Sequence, residues 1–162
     1  MLQRVQSIFL LGVALCMGSL LITDIWEETL PDRNQRIELD AFALQTTSLG
    51  SADAASFEVV HNTWFIAAFA TLSAIVAFYE IFRYKSRLTQ LKLGFFNVLL
   101  MIVVLGSTVY YIFQGETLSA NATQGDFETG IYLPGLALIF NLLANRFIRR
   151  DEQLVRSVDR LR

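Results

Sequence analysis

The chain has 162 residues, a formal net charge of −2, and a composition in which 54% of the residues are apolar and 17% are charged. Soluble domains carry about a quarter charged residues, so this composition and a mean hydropathy of +0.46 indicate a small integral membrane protein. One cysteine excludes a disulfide framework, one histidine leaves too few soft ligands for an ordinary zinc, haem or iron–sulfur site, and two prolines exclude collagen-like and low-complexity chains.

Four runs without formal charge organise the chain. They are 17 to 23 residues long, which at about 1.5 Å per residue lets a helix cross a hydrocarbon core of about 30 Å. The runs are apolar nearly all round rather than on one face, as expected for helices surrounded by lipid. We therefore predict membrane spans at 5–23, 62–82, 93–114 and 130–147, joined by outer loops 24–61 and 115–129, a cytoplasmic loop 83–92 and a cytoplasmic tail 148–162.

The first outer loop is too long to be a plain connector, so we expect it to be structured. Residues 30–34 have the composition of a turn, and apolar and acidic residues alternate over 37–41 as in a half-buried strand. A second short run, 57–60, could pair with that strand across a turn at 49–53. The sequence is compatible with this short β-hairpin and equally with an irregular, ordered cap over the bundle.

Four polar residues are predicted at similar depth in the spans. Glu80 lies near the cytoplasmic end of the second span, Asn97 about one turn into the third, and Asn141 and Asn145 one turn apart in the fourth. One interpretation is packing, because polar side chains in membranes form interhelical hydrogen bonds of about 0.6–2 kcal/mol each. The other is a proton or ion site closed by Glu80, since ionisable residues in spans often mark such paths. Arg83 follows Glu80 closely enough to neutralise it instead.

The tail 148–162 carries apolar residues at helical spacing with charged residues between them, which predicts a C-terminal amphipathic helix. Its charged residues form the candidate docking tail: Arg149, Arg150, Asp151, Glu152, Arg156, Asp159 and Arg160. One interpretation is an anchor on anionic lipid headgroups, and the other is a helix that docks a cytosolic partner.

Basic residues set the predicted orientation. Eleven of the thirteen Lys and Arg residues fall at the N-terminus, in the loop 83–92 or from Arg146 onward, and two fall in the outer loops. Because basic residues accumulate on the cytoplasmic side, we expect both termini there. Trp26 and Trp64 fall at the outer ends of spans, where indole rings favour the headgroup layer.

The two ends of the chain also carry a resemblance. Residues 1–11, MLQRVQSIFLL, and residues 148–162, IRRDEQLVRSVDRLR, resemble the terminal motifs of an uncharacterised family of four-span membrane proteins from Bacteroidetes-type bacteria, known as a domain of unknown function. The resemblance implies a bacterial inner membrane. It implies no activity and no site residues.

Together these observations predict an all-α integral membrane protein: a four-transmembrane-helix bundle with a structured outer loop and a C-terminal amphipathic helix. The sequence has no P-loop, Gly-rich nucleotide turn, His pair or plausible Ser-His-Asp set, so we expect no enzyme and no catalytic, cofactor-binding or metal-binding residues. The leading hypothesis is an interaction or scaffold component that binds a partner through its cytoplasmic face. The alternative is a small transporter or channel subunit that uses the polar cluster. Expected partners are the lipid bilayer, a cytosolic or membrane protein and further copies of the chain, but not nucleic acid.

Overall fold

The computed structural model describes residues 3–30, 34–48, 57–83, 86–119 and 125–159, and these ranges contain four helices and five strands. The helices are α1 (Gln3–Ser19), α2 (Trp64–Phe82), α3 (Arg87–Ser119) and α4 (Thr129–Asp159). The strands are β1 (Trp26–Leu30), β2 (Gln35–Leu39), β3 (Ala43–Ser48), β4 (Phe57–Asn62) and β5 (Asp126–Phe127). All strand residues except Asn62, the last residue of β4, therefore lie in the two segments that we predicted to be outer loops.

The prediction of an all-α protein is wrong. The strands form one antiparallel sheet in the order β4-β3-β2-β1-β5. The predicted strand overlaps β2 and the second run lies in β4, but these two do not pair, because β3 lies between them and pairs with both. β3 escaped prediction because Leu44 is the one of its six side chains that is fully buried, so the strand has no apolar alternation. The predicted turn at 49–53 lies outside the described residues.

The prediction of a four-transmembrane-helix bundle also needs correction. In the described part of the chain, three helices are long and apolar enough to cross a membrane by length and composition: α2, α3 and the Thr129–Leu154 part of α4. α1 has 17 residues and ends at Ser19, before its apolar run ends. The chain turns there, with the Thr23 hydroxyl donating to the Ser19 carbonyl at 3.1 Å, and the buried Ile25 leads into β1.

The four helices pack as a ring. α1 packs mainly against α2 and α4, and α3 packs against the same two helices. Their shared interior is apolar and includes the buried side chains of Val13, Met17, Ile66, Met101 and Ala137. The chain connections place the sheet where α1 and α3 end and where α2 and α4 begin. The opposite end of the bundle, which we call the basic end, carries Arg83, Arg87, Lys92, Arg146, Arg149 and Arg150.

Trp26 joins the sheet to the bundle. It is the first residue of β1 and is fully buried, although we predicted it in the headgroup layer, whereas Trp64 is 62% exposed at the start of α2. The indole ring lies directly on Gly115 of α3, where an added Cβ would be 2.6 Å from ring atom Cζ3. Glycine at this position therefore lets the first strand lie against the end of α3.

Backbone hydrogen bonds fix the same junction. The amide of Ala67 in α2 donates to the carbonyl of Ala41 at 3.1 Å, and the amide of Gly130 in α4 donates to the carbonyl of Asp24 at 2.9 Å. The first amides of a helix have no partner within the helix, so these bonds satisfy donors that would otherwise need water.

Candidate functional site

One face of α3 organises a buried polar cluster at the basic end. Gln90, Gly94 and Asn97 are spaced four and three residues apart, so they lie on one side of the helix. All three are buried in the bundle, and Gln90 and Asn97 are 1% and 0% exposed. Seven residues of helix span about 10 Å, so this face presents polar groups over about two turns.

α2 meets this face with Ser73 and Glu80, which are both fully buried. The Ser73 hydroxyl donates to Asn97 Oδ1 at 2.6 Å, and Gln90 Nε2 donates to the backbone carbonyl of Glu80 at 3.0 Å. These two bonds fix the antiparallel register of α2 and α3. Among the residues that the structure describes, neither carboxylate oxygen of Glu80 has a hydrogen-bond partner.

Arg83 does not neutralise Glu80, contrary to the possibility raised by the sequence. Its Nε donates to the hydroxyl of Tyr79 at 2.6 Å, and its guanidinium carbon lies 5.3 Å from the centre of the Tyr79 ring. Both side chains are exposed on the outside of the bundle. The Glu80 carboxylate therefore points into the helix bundle without this cation.

α4 contributes Asn141 and Asn145, which contact the same face of α3 at Gly94. Asn141 is fully buried, and its Nδ2 donates to the backbone carbonyl of Gly94 at 2.9 Å. The amide of Asn145 lies directly over Gly94, where an added Cβ would be 2.8 Å from its Nδ2. The missing side chain at Gly94 is thus what allows α3 and α4 to approach at this level.

The structure therefore gathers all four predicted residues, Glu80, Asn97, Asn141 and Asn145, around the α3 face. Sequence reasoning missed Ser73, Gln90 and Gly94, although the spacing of Gln90, Gly94 and Asn97 carried the signal. Gln90 had been assigned to the cytoplasmic loop because the predicted span began at residue 93, whereas α3 begins at Arg87.

The cluster is rich in oxygen atoms that can accept a hydrogen bond. Among the described residues of the cluster, the buried oxygens without a hydrogen-bond partner are Oε1 and Oε2 of Glu80, Oε1 of Gln90, and Oδ1 of Asn141 and Asn145. One carboxylate among neutral amides gives the cluster at most one negative charge. In the same ranges, no group of three or more His, Cys, Asp or Glu side chains could hold a metal ion. The arrangement can take up a proton on Glu80 or supply oxygen ligands to a small cation.

The candidate docking tail is the continuation of α4, which runs unbroken to Asp159. Asp151 is held internally, because Arg87 Nη2 lies 2.8 Å from its Oδ2 and Arg87 Nη1 donates to its backbone carbonyl at 2.8 Å. Arg149 and Arg150 are exposed, and Glu152 is half-buried. The side chains of Arg156 and Asp159, and the whole of Arg160, lie outside the described residues.

Comparison with known proteins gives a family without an assigned activity. A search of the curated proteins finds none that matches the chain. A family model described as a domain of unknown function, DUF4293, matches residues 2–161. Because this match covers almost the whole sequence, the chain belongs to the DUF4293 family.

Proposed function

We propose that the chain is a small membrane transporter or channel subunit in which Glu80 binds a proton or a singly charged cation inside the helix bundle. The observation that carries this proposal is the fully buried Glu80 carboxylate, whose oxygens have no hydrogen-bond partner in the described part of the chain. Removing a carboxylate from water costs several kcal/mol unless a partner compensates it. A bound proton or cation is such a partner.

The outside of the bundle supports a membrane location. Large apolar side chains on all four helices remain more than half exposed, including Ile8, Ile75, Phe95 and Ile139. An apolar surface of this extent is unfavourable in water, whereas lipid covers it. The basic end then faces the cytoplasm by the distribution of Lys and Arg, with both termini on that side. The resemblance of the chain ends adds a bacterial inner membrane to the proposal.

The chemistry of the ligands favours a singly charged ion. The unpartnered amide oxygens of Gln90, Asn141 and Asn145 are neutral, so Glu80 is the one negative charge that they accompany. Neutral oxygen atoms can replace the hydration shell of a cation in a channel. Divalent ions usually recruit more carboxylates than one. Because a ring of four helices is small, we propose that copies of the chain assemble to complete the conduction path.

Flux through liposomes tests this proposal. We expect the purified chain to carry protons, Na⁺ or K⁺ under an imposed membrane potential, and we expect Glu80→Gln to reduce that flux at least tenfold. Glu116→Gln is the matched control, because Glu116 also lies on a helix but near the sheet, away from the cluster. Flux that is absent in the wild type, or that is equal in the wild type and Glu80→Gln, would contradict the proposal.

A second candidate is the non-enzymatic interaction component that docks a partner at the basic end. The observation that favours it is the continuous α4 helix, which is fixed by the Arg87–Asp151 ion pair and presents Arg149 and Arg150 outward. A protein partner reads the order of charges rather than their sum. Exchanging Asp159 with Arg160 should therefore impair crosslinked recovery of a stoichiometric partner from native membranes. Equal recovery with both tails would remove this candidate.

A further inference from the structure

We propose that a groove between α3 and α4 binds one anionic phospholipid, with the phosphate on the arginines of α4 and an acyl chain along the apolar part of the groove. The groove has a volume of about 720 Å³, which lies within the range of about 300–1,000 Å³ that is typical of small-molecule sites. This inference rests on the proposed membrane location but does not depend on ion transport.

The groove changes from apolar to cationic along its length. Phe95 and Val98 of α3 and Leu142 of α4 line the half of the groove that lies farther from the basic end. Phe95 and Leu142 are 64% and 59% exposed, so a chain lying between them would cover apolar surface. This half has the position and character that an acyl chain requires.

Three arginines line the other half of the groove. Arg149 and Arg150 lie three and four residues after Arg146, so all three share one side of α4. None of them forms an ion pair with another described residue, and the adjacent Asp151 is paired with Arg87 at 2.8 Å. The positive charge of the groove is therefore available to a ligand.

The order of these two halves identifies the ligand. A guanidinium binds two phosphate oxygens at once and is less strongly hydrated than a lysine ammonium. The arginines lie at the basic end, where headgroups begin, and the apolar residues lie deeper in the proposed membrane. An acidic peptide would satisfy the arginines but leave the apolar half uncovered. A phospholipid matches both halves.

Lipid binding to the full-length protein in detergent tests the proposal. Native mass spectrometry should detect one phosphatidylglycerol per chain and clearly weaker binding of phosphatidylcholine. The double variant Arg149→Gln/Arg150→Gln should weaken phosphatidylglycerol binding about thirtyfold, or about fivefold for each arginine. Lys92→Gln is the matched control, because Lys92 is an exposed cation of the basic end that does not line the groove, and it should leave binding unchanged.

Two further binding experiments distinguish a lipid from other phosphate-containing ligands. Leu142→Trp fills the apolar half from an exposed position and should weaken phosphatidylglycerol binding at least tenfold. Glycerol phosphate, which has no acyl chain, should not bind at the same concentration. The proposal is overturned if Lys92→Gln weakens binding as much as the arginine variant, if Leu142→Trp has no effect, or if glycerol phosphate binds as well as the lipid. Since no ion gradient is involved, these outcomes are independent of the flux assay.

Discussion

The hydroxyl of Ser73 donates a 2.6 Å hydrogen bond to Oδ1 of Asn97 and thereby links α2 to α3 inside the buried polar cluster. Ser73→Ala removes this donor, so we expect the free energy of unfolding in detergent to fall by about 0.6–2 kcal/mol. Ser107→Ala is the matched control on α3, because the Ser107 hydroxyl bonds to the carbonyl of Val103 in its own helix at 2.6 Å. Equal losses in the two variants would show that the link between helices adds nothing.

Gly94 controls the approach of α3 to α4. An alanine there places its Cβ against the amide of Asn145, so we expect Gly94→Ala to lower the free energy of unfolding by about 1–3 kcal/mol. At Gly106 on the same helix, an added Cβ would meet no atom within 4 Å apart from the helix's own nearby backbone. Gly106→Ala should therefore stabilise the protein by about 0.5–1 kcal/mol. Thermal unfolding of both variants in detergent measures the contrast. A neutral Gly94→Ala would contradict the close contact at this position.

Trp26 holds the sheet on the bundle. Trp26 belongs to β1, and its fully buried ring lies against Gly115 of α3. We therefore expect Trp26→Ala to lower the free energy of unfolding by about 3–5 kcal/mol. Trp64→Ala, at a side chain that is 62% exposed, should change the free energy of unfolding by about 0.5 kcal/mol or less. Denaturant unfolding followed by circular dichroism compares the two. If both variants are equally stable, the sheet is not held by this contact.

Arg36 forms ion pairs with two neighbouring acidic residues of the sheet. Glu27 and Glu38 are register partners on β1 and β2, and Arg36 pairs with both, at 2.9 Å from Nε to Glu38 Oε1. The hydrogen bond to Glu27 raises the pKa of the Arg36 guanidinium, so it stays charged. Arg36→Gln leaves two like charges facing each other and should cost about 1 kcal/mol at low salt. Adding Glu27→Gln should recover most of that loss in the same unfolding assay, and no recovery would contradict the mechanism.

The helices were the predictable part of this fold. A charge-free apolar run of about 20 residues has few alternatives to a helix, because its backbone groups must be satisfied within the segment, and α2, α3 and α4 lie over three such runs. Apolar content does not mark where a helix stops, however. The first run continues to Ile22, while α1 ends at Ser19, and Leu20 and Ile25 beyond its end are fully buried.

The sequence predicted strands that overlap β2 and β4, but β1, β3 and the order of the strands could not be predicted, for physical reasons. In β1 the inward positions are Trp26, Glu28 and Leu30, so an acidic residue interrupts the apolar alternation that marks a strand. In β3 a single buried Leu44 is accompanied by polar residues. Strand order depends on contacts between segments that the chain brings together only in three dimensions, such as the pairing of β5 with β1.

The polar cluster was predicted in part. Glu80 and the three asparagines stood out because polar side chains are rare in apolar runs. Gln90 lies where helix and loop have similar composition, and Gly94 contributes through the absence of a side chain. Their spacing from Asn97 places both residues on its helix face, but which groups of α2 and α4 they contact depends on the register of the three helices.

The central claim, that Glu80 takes up a proton or a cation, is tested most directly by infrared difference spectroscopy of the purified full-length protein. A change of pH or of Na⁺ or K⁺ concentration should produce the band of a buried carboxyl group in the wild type and in Glu116→Gln, and that band should be missing in Glu80→Gln. A difference spectrum that is identical in the wild type and Glu80→Gln would contradict the claim.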